Sequence, residues 1–262
     1  MDPHTLLCLY AQRLKSPIHV GASLAKLVDL HERHQHEIAF ENLSIRNGIP
    51  LSLNLNDLAQ KILREGNGGF CYELNSLFNQ LLRALHFRTR LISARVFTKG
   101  VSIGPEFDHM AICAEILGKK YLVDVGFGGA SSTPILLDSA ALHEDSGMYY
   151  RVRSWDQRFE IVEKSSNGVD FTGLYLFDRV PRTTEEFLPM FHYHQKSEGS
   201  IFTQKTICSK LTDTGRITLT DSSLIITKDE ERQIMRTNDT RTFSVLLATH
   251  FGISTSPQQK TA

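Results

Sequence analysis

The chain has 262 residues, 41% of them hydrophobic and 22% charged, the balance of a folded globular chain rather than a disordered one. Lys plus Arg number 29 and Asp plus Glu 29, a formal net charge of zero, which argues against a dedicated nucleic-acid binder and against a polybasic membrane-surface protein. No apolar run approaches the roughly 20 residues of a membrane span, and the first residues carry an acid at Asp2 and lack the apolar core of a secretory signal, so a cytoplasmic protein is expected.

Residues 1–86 read as helical. Leu24, Leu27, Val28 and Leu30 fall on helical spacing ahead of the histidine-rich stretch 31–36. Leu55, Leu58, Ile62 and Leu63 repeat the pattern, with Asn54 or Asn56 as N-cap. Glu65-Gly66-Asn67-Gly68-Gly69 is a sharp breaker. After it, Leu74, Leu77, Phe78, Leu81, Leu82 and Leu85 mark the strongest amphipathic helix of the chain.

From Arg88 the period changes to two: Leu91, Ser93, Arg95 and Phe97 alternate with Ile92, Ala94 and Val96. Further strands are predicted at 109–117, 121–125, 150–162, 170–177, 205–211, 216–219 and 224–227. A last helix over 240–251 ends at Gly252, a good residue to follow a helix, and the polar tail 254–262 is expected to fray. Helices first, then antiparallel-looking strands, then a mixed end make an α+β protein rather than an alternating βαβ one.

The chemistry gathers where the helices give way to strands. Gly68-Gly69-Phe70-Cys71 places a thiol at the start of the strong helix, where free N–H groups and the macrodipole favour an anion, and a thiol there is expected to have a lowered pKa. The alternative is a cysteine that merely fills a gap at the helix start. Asp124 interrupts an apolar strand and would be costly there unless paired. A hairpin through Gly118-Lys119-Lys120 brings it near His109. Cys71, His109 and Asp124 then form a Cys-His-Asp triad by role and geometry. Cys8, Cys113 and Cys208 read as packing residues. The histidines 31, 34 and 36, and the pair His192 and His194, read as no metal site. Gly126-x-Gly128-Gly129 reads as an active-site loop rather than a dinucleotide cradle.

Phe40-Glu41-Asn42-Leu43, Gly68-Gly69-Phe70-Cys71-Tyr72-Glu73-Leu74-Asn75, Asp108-His109-Met110 and Val123-Asp124-Val125-Gly126-Phe127-Gly128 occur in the order and spacing of the arylamine N-acetyltransferases, which the chain resembles from about residue 5 to residue 252. Leu27-x-x-Leu30-His31-x-x-His34 and Ser200-Ile201-Phe202 followed by Cys208 resemble that family too. The resemblance implies a helical bundle over 1–86, an antiparallel β-barrel-like domain over 87–198 and an α/β lid over 199–262. It carries the triad onto Cys71, His109 and Asp124. It implies an acceptor pocket lined by Phe40, Val96, Phe127 and Phe202, and a coenzyme A contact at Tyr193. A threonine that some members place between Tyr193 and Phe202 falls at Gly199. Asn67 departs from the pattern, which usually has Arg directly before Gly-Gly-x-Cys as a partner for an acid such as Glu41; Arg64 is the expected substitute.

The implied activity is two-step transfer of an acetyl group from acetyl-CoA to an arylamine or hydrazine through a Cys71 thioester, without a metal. The same triad also suits an amide synthase or a thiol hydrolase, a cysteine protease would share it, and an inert triad would leave a non-catalytic binding module.

Overall fold

The computed structural model describes residues 1–98, 102–228, 231–237 and 239–254. Asp2 opens helix α1 (Pro3–Arg13) by accepting from the Thr5 N–H at 3.0 Å, and Pro3 occupies the first turn, where a missing N–H costs nothing. Ser23 caps α2 (Leu24–Glu37) in the same way. A short strand β1 (Phe40–Glu41) and a single turn α3 (Leu43–Arg46) follow. Asn54, not Asn56, caps α4 (Leu55–Leu58). The straight helix expected to reach residue 63 instead loosens into a π-helical turn at Ala59–Arg64, where the Glu65 N–H donates to the Gln60 carbonyl five residues back.

Helix α5 (Cys71–Ala84) carries the expected leucine stripe, with Leu74, Leu77, Phe78, Leu81 and Leu82 fully buried. Its polar face is buried as well: Glu73, Asn75, Ser76 and Asn79 are all enclosed. The helix lies between α1 on one side and the first barrel strands on the other, so its second face meets protein rather than water.

Those strands are β2 (Arg88–Val96), β3 (His109–Ile116), β4 (Lys119–Val123), β5 (Ile135–Leu136), β6 (His143–Asp145), β7 (Met148–Ser154), β8 (Glu160–Ser165) and β9 (Thr172–Phe177), an antiparallel sheet in the order β5-β4-β3-β2-β9-β8-β7-β6. The strand expected over 150–162 is two strands, β7 and β8. Between them Asp156 accepts from the N–H groups of Arg158 and Phe159 and folds the chain back. The sheet nearly closes on itself. At its edges the loop leading into β5 is tied to β6 by side chains, the hydroxyls of Ser131 and Ser132 donating to Asp145 at 2.8 and 2.6 Å. The barrel interior is filled by Ile92, Ala111, Cys113, Leu122, Val162 and Phe177, while Met110, Ile112 and Ala114 on the outer face of β3 join the core around α5.

A 3₁₀ turn at Glu185–Phe187, α6 (Leu188–Lys196) and α7 (Ile201–Gln204) lead to β10 (Ile207–Thr212), β11 (Gly215–Thr220), β12 (Ser223–Lys228) and β13 (Glu231–Arg236). These four strands form a second antiparallel sheet with β1, which pairs Phe40 with Ser209 and Glu41 with Cys208. The C-terminal sheet therefore borrows a strand from the N-terminal third, immediately beside the Gly68–Gly69 loop. Helix α8 (Thr240–Phe251) covers one face of that sheet and stops at Gly252, whose φ is 68°.

Cys113 and Cys208 are buried as expected, but Cys8 is exposed on α1, beside His4. The tail 255–262, expected to fray, lies outside the described residues. Among the described residues no helix is long and apolar enough to cross a membrane.

Candidate active site

Cys71 is the first residue of α5. The loop before it is held by β1: the Glu41 N–H donates to the Gly69 carbonyl at 2.8 Å, and the Gly69 N–H to the Ala39 carbonyl at 3.2 Å. A Cβ on Gly68 would lie 2.1 Å from the Ala39 oxygen, so glycine is required there by close approach. Gly126 packs on the other side of the nucleophile, where a Cβ would fall 2.7 Å from the Cys71 Cα.

The hairpin that presents His109 and Asp124 turns at Leu117 and Gly118, both with positive φ, rather than through the lysines. The last rung of the β3–β4 ladder is Ile112 opposite Val123. Asp124 is thus one step beyond the strand, and His109 is its diagonal rather than its direct neighbour, on the same face of the sheet. His109 Nε2 lies 2.7 Å from Asp124 Oδ2, and both side chains are almost fully enclosed. Nδ1 is the His109 nitrogen not taken by Asp124, and the ring is electrostatically coupled to the Cys71 thiol.

Burial alone would lower the His109 pKa, but the Asp124 charge and hydrogen bond, with the Cys71 contact, raise it to about 10. Burial pushes the Cys71 thiol up, and His109 offsets only part of that rise, so the net shift is upward. The lowered pKa expected from its place at the start of a helix is therefore not found. The thiol is a desolvated group whose proton is controlled by its imidazole neighbour.

Asn75, Tyr175 and His31 complete the arrangement, and none was singled out for it in the sequence. Asn75, one turn after Cys71, donates to the Met110 carbonyl at 2.6 Å and to Asp124 Oδ1 at 3.0 Å, and accepts from the Val125 N–H at 3.1 Å. The Tyr175 hydroxyl donates to Asp124 Oδ2 and the Gly126 N–H to Oδ1, at 3.0 and 2.9 Å. The His109 charge and hydrogen bond, with the Asn75 and Gly126 donors, hold the Asp124 carboxyl below its ordinary pKa against the cost of burial. His31 accepts from the Asp124 N–H at 3.1 Å through Nε2, and its Nδ1 donates to the Ser132 carbonyl at 2.6 Å. That pairing requires the neutral ring, and burial lowers its pKa accordingly. The visible signal was a polar residue at helical spacing from Cys71 (Asn75) and a histidine on the inward face of α2 (His31); neither names its partner.

A family model described as N-acetyltransferase matches residues 23–260. A pineal-gland isozyme of arylamine N-acetyltransferase from Gallus gallus is 30% identical over 230 residues, 81% of this chain and 79% of that protein. The chain belongs to the arylamine N-acetyltransferase family. Arylamine N-acetyltransferase 2 of Mus musculus is 31% identical over 77% of this chain and 76% of its own length. The crystal structure of an arylamine N-acetyltransferase from Bacillus cereus superposes with a TM-score of 0.88 at 25% identity, covering 95% of this chain and 99% of that one. That protein is described as having a Cys-His-Glu triad. In this chain the carboxylate hydrogen-bonded to His109 is an aspartate, Asp124.

The missing arginine of the N-acetyltransferase pattern is replaced by Lys61, not by Arg64. Lys61 Nζ donates to both carboxylate oxygens of Glu73, at 2.9 and 3.0 Å, and lies 3.3 Å from Glu41 Oε1. It comes from the π-helical turn. Arg64 is exposed and reaches only Gln60, and Asn67 donates to Glu65 at 3.4 Å. Burial alone would lower the Lys61 amine, but the two carboxylates hold it above its ordinary value. One cation faces two enclosed carboxylates. Glu73 is accordingly pushed up to about 7 by burial and by Glu41, against the pull of Lys61. Glu73 Oε2 also accepts from the Phe70 N–H and Glu41 Oε2 from the Leu43 N–H, at 3.1 and 2.6 Å. The trio therefore ties β1, the glycine loop and the first turn of α5 into one unit.

Phe40 and Phe127 both line a narrow cleft beside this unit. The Phe127 ring packs edge-on against His109 at 5.3 Å between centroids, and Phe202 approaches Phe40 at 6.1 Å. Val96 packs inside the barrel and pairs with Tyr175. Tyr193 on α6 is 41% exposed. Its hydroxyl lies beside Gly199, where a Cβ would come within 2.8 Å of it. His194 is buried between Ser200 and Asp108. Among the described residues no group of three or more His, Cys, Asp or Glu could hold a metal ion.

Proposed function

We propose that the chain transfers an acetyl group from acetyl-CoA to an arylamine or arylhydrazine, with Cys71 as nucleophile, His109 as general base and acid, and Asp124 as the group that orients and charges His109. The observation that carries the reading is the enclosed chain of contacts from the Cys71 thiol through His109 to Asp124. In the first half-reaction Cys71 loses its proton to the imidazole, and the thiolate attacks the acetyl carbonyl of the donor. The tetrahedral oxyanion is held by backbone N–H groups at the start of α5, that of Cys71 among them. Collapse breaks the carbon–sulfur bond to coenzyme A, which leaves with a proton from His109, and an acetyl thioester stays on Cys71. In the second half-reaction the neutral amine attacks that thioester, His109 takes the amine proton, and the free Cys71 thiol is restored.

Phe40, Phe127 and Phe202 offer flat apolar surface to an aromatic acceptor, with Val96 behind them. Tyr193, half-exposed on α6, supplies a ring for coenzyme A. The expected kinetics are double-displacement: varying acetyl-CoA at several arylamine concentrations gives parallel reciprocal plots. Intersecting plots, showing a ternary complex in which donor and amine react directly, would contradict the thioester route.

A further inference from the structure

The chain bends sharply just before His109. Phe107 has a φ of 63°, in the left-handed region that a bulky side chain rarely adopts. It is held there from two sides. Its N–H donates to the Ser93 hydroxyl at 2.8 Å, and its carbonyl accepts from the Tyr72 hydroxyl at 2.6 Å. Tyr72 directly follows Cys71 on α5. Asp108, the next residue, accepts from the Val96 N–H at 3.4 Å through one oxygen and turns the other to His194 Nε2, 3.2 Å away. The segment that delivers His109 is therefore gripped by α5, by β2 and by α6.

His194 is almost fully enclosed on α6, with the rings of Tyr72 and Phe202 at 6.0 and 5.2 Å between centroids. Its Nδ1 hydrogen-bonds the Ser200 hydroxyl at 3.0 Å, and the Ser200 oxygen accepts from the Phe202 N–H at 3.2 Å to open α7. Its Nε2 has no aligned acceptor among the described residues and stands beside the Asp108 carboxylate at ion-pair distance. A bare nitrogen facing a carboxylate would set two acceptors against each other, so Nε2 carries a proton. Packing among aromatic rings asks only for an apolar side chain. Polar contacts at both ends of the ring make a bridge instead.

We infer that His194 is a positioning residue for the Cys71–His109 pair: it ties Asp108 to Ser200, and so fixes the backbone from which His109 projects against the turn that opens α7. The inference rests on the reading of Cys71 and His109 as the reacting pair and adds a residue that acts through them. Without the bridge the turn at Phe107 is free to relax, and the His109 ring loses its place beside the thiol. The charged groups that act on Cys71 are His109, Asp108 and Asp124, and of these only His109 favours the thiolate.

The test is the rate of Cys71 alkylation by iodoacetamide from pH 6 to 10, with the labelled residue located by peptide mapping, in the wild type, His194→Phe and His194→Gln. Phenylalanine keeps a ring against Tyr72 and Phe202 but has no polar atom. His194→Phe is expected to slow alkylation at pH 7 about 10-fold, by moving the profile up about one pH unit with its plateau unchanged. His194→Gln, whose amide N–H still reaches a carboxylate, is expected to stay within about 3-fold of the wild type. A histidine that only fills space would be replaced by phenylalanine without loss, and one needed only for folding would lower the plateau without moving the profile; either result would overturn the inference. So would equal losses in the two variants. A further measurement needs no folded variant: nitrogen NMR of the wild-type imidazoles should show a proton on His194 Nε2, and a bare Nε2 would also overturn the bridge. Alkylation uses neither acetyl-CoA nor amine. A chain whose Cys71 responds to His194 in this way yet takes up no acetyl group would refute the acetyl-transfer reading and leave this one standing. Acetyl uptake with an alkylation profile indifferent to His194→Phe would do the reverse.

Discussion

Asp124→Asn is expected to slow acetyl transfer by about 10³–10⁴-fold, the range over which a triad loses turnover when its orienting carboxylate is amidated. Asp124 fixes the His109 ring through Nε2 and supplies the charge that raises its pKa to about 10. With an amide in its place the carboxylate charge no longer offsets burial, and the imidazole pKa falls. A pH signature follows. The folded-state pKa of His109 lies above the ordinary value of 6.5. Its contribution to stability is therefore full below pH 6.5 and is lost as the pH rises through about 10. The thermal midpoint of the wild type should decline across that window on this account, and the decline should be absent from the variant. The measurements are the single-turnover acetylation rate and unfolding midpoints from pH 6 to 10. A variant that keeps transfer within about tenfold of the wild type would remove Asp124 from the mechanism.

Lys61→Met is expected to destabilise the fold by about 3–5 kcal/mol, because it strands two enclosed carboxylates without their cation. Glu41 and Glu73 sit under the glycine loop and the first turn of α5, so the damage falls on the segment that presents Cys71. Lys61→Arg, which keeps the charge, should lose much less. Glu73→Gln added to Lys61→Met should recover part of the loss by removing one of the two charges. Lower pH should help the Lys61→Met variant as well. The folded state holds the Glu73 proton more tightly than the unfolded chain does, with a pKa of about 7 against 4.5, so folding is favoured as the pH falls below about 7. Urea midpoints for the four proteins at pH 6 and pH 8 check this. A loss below about 1 kcal/mol in Lys61→Met would mean that the trio is no more than a surface-grade ion pair.

Legibility from sequence followed the range of the interactions. Helix α5 was legible because six apolar residues repeat at helical spacing, and Cys71 was legible because the glycines before it mark where that helix must begin. The pairing of His109 with Asp124 was legible because a short hairpin links them and a lone carboxylate among apolar strand residues demands a partner. Contacts between distant segments carry no such mark. Lys61 looks like one more solvent-facing lysine on a helical pattern, and only the π-helical turn and the arrival of β1 bring it to Glu41 and Glu73. Asn75 and Tyr175 are 49 and 51 residues from Asp124, and His31 is 93 away. The lowered thiol pKa expected for Cys71 fails for a related reason: a helix terminus is a local feature, whereas the burial that opposes it is a property of the whole fold. Strand β13 and helix α6 show no clean period, since β13 is exposed along its whole length and α6 buries only Phe191 and His194.

The most direct measurement is the intact mass of reduced protein mixed with acetyl-CoA in the absence of amine, with the modified residue located by peptide mapping. A gain of one acetyl group on Cys71, absent from Cys71→Ser and discharged when an arylamine is added, is the predicted result. Unmodified protein, or acetylation that persists in Cys71→Ser, would contradict the thioester mechanism.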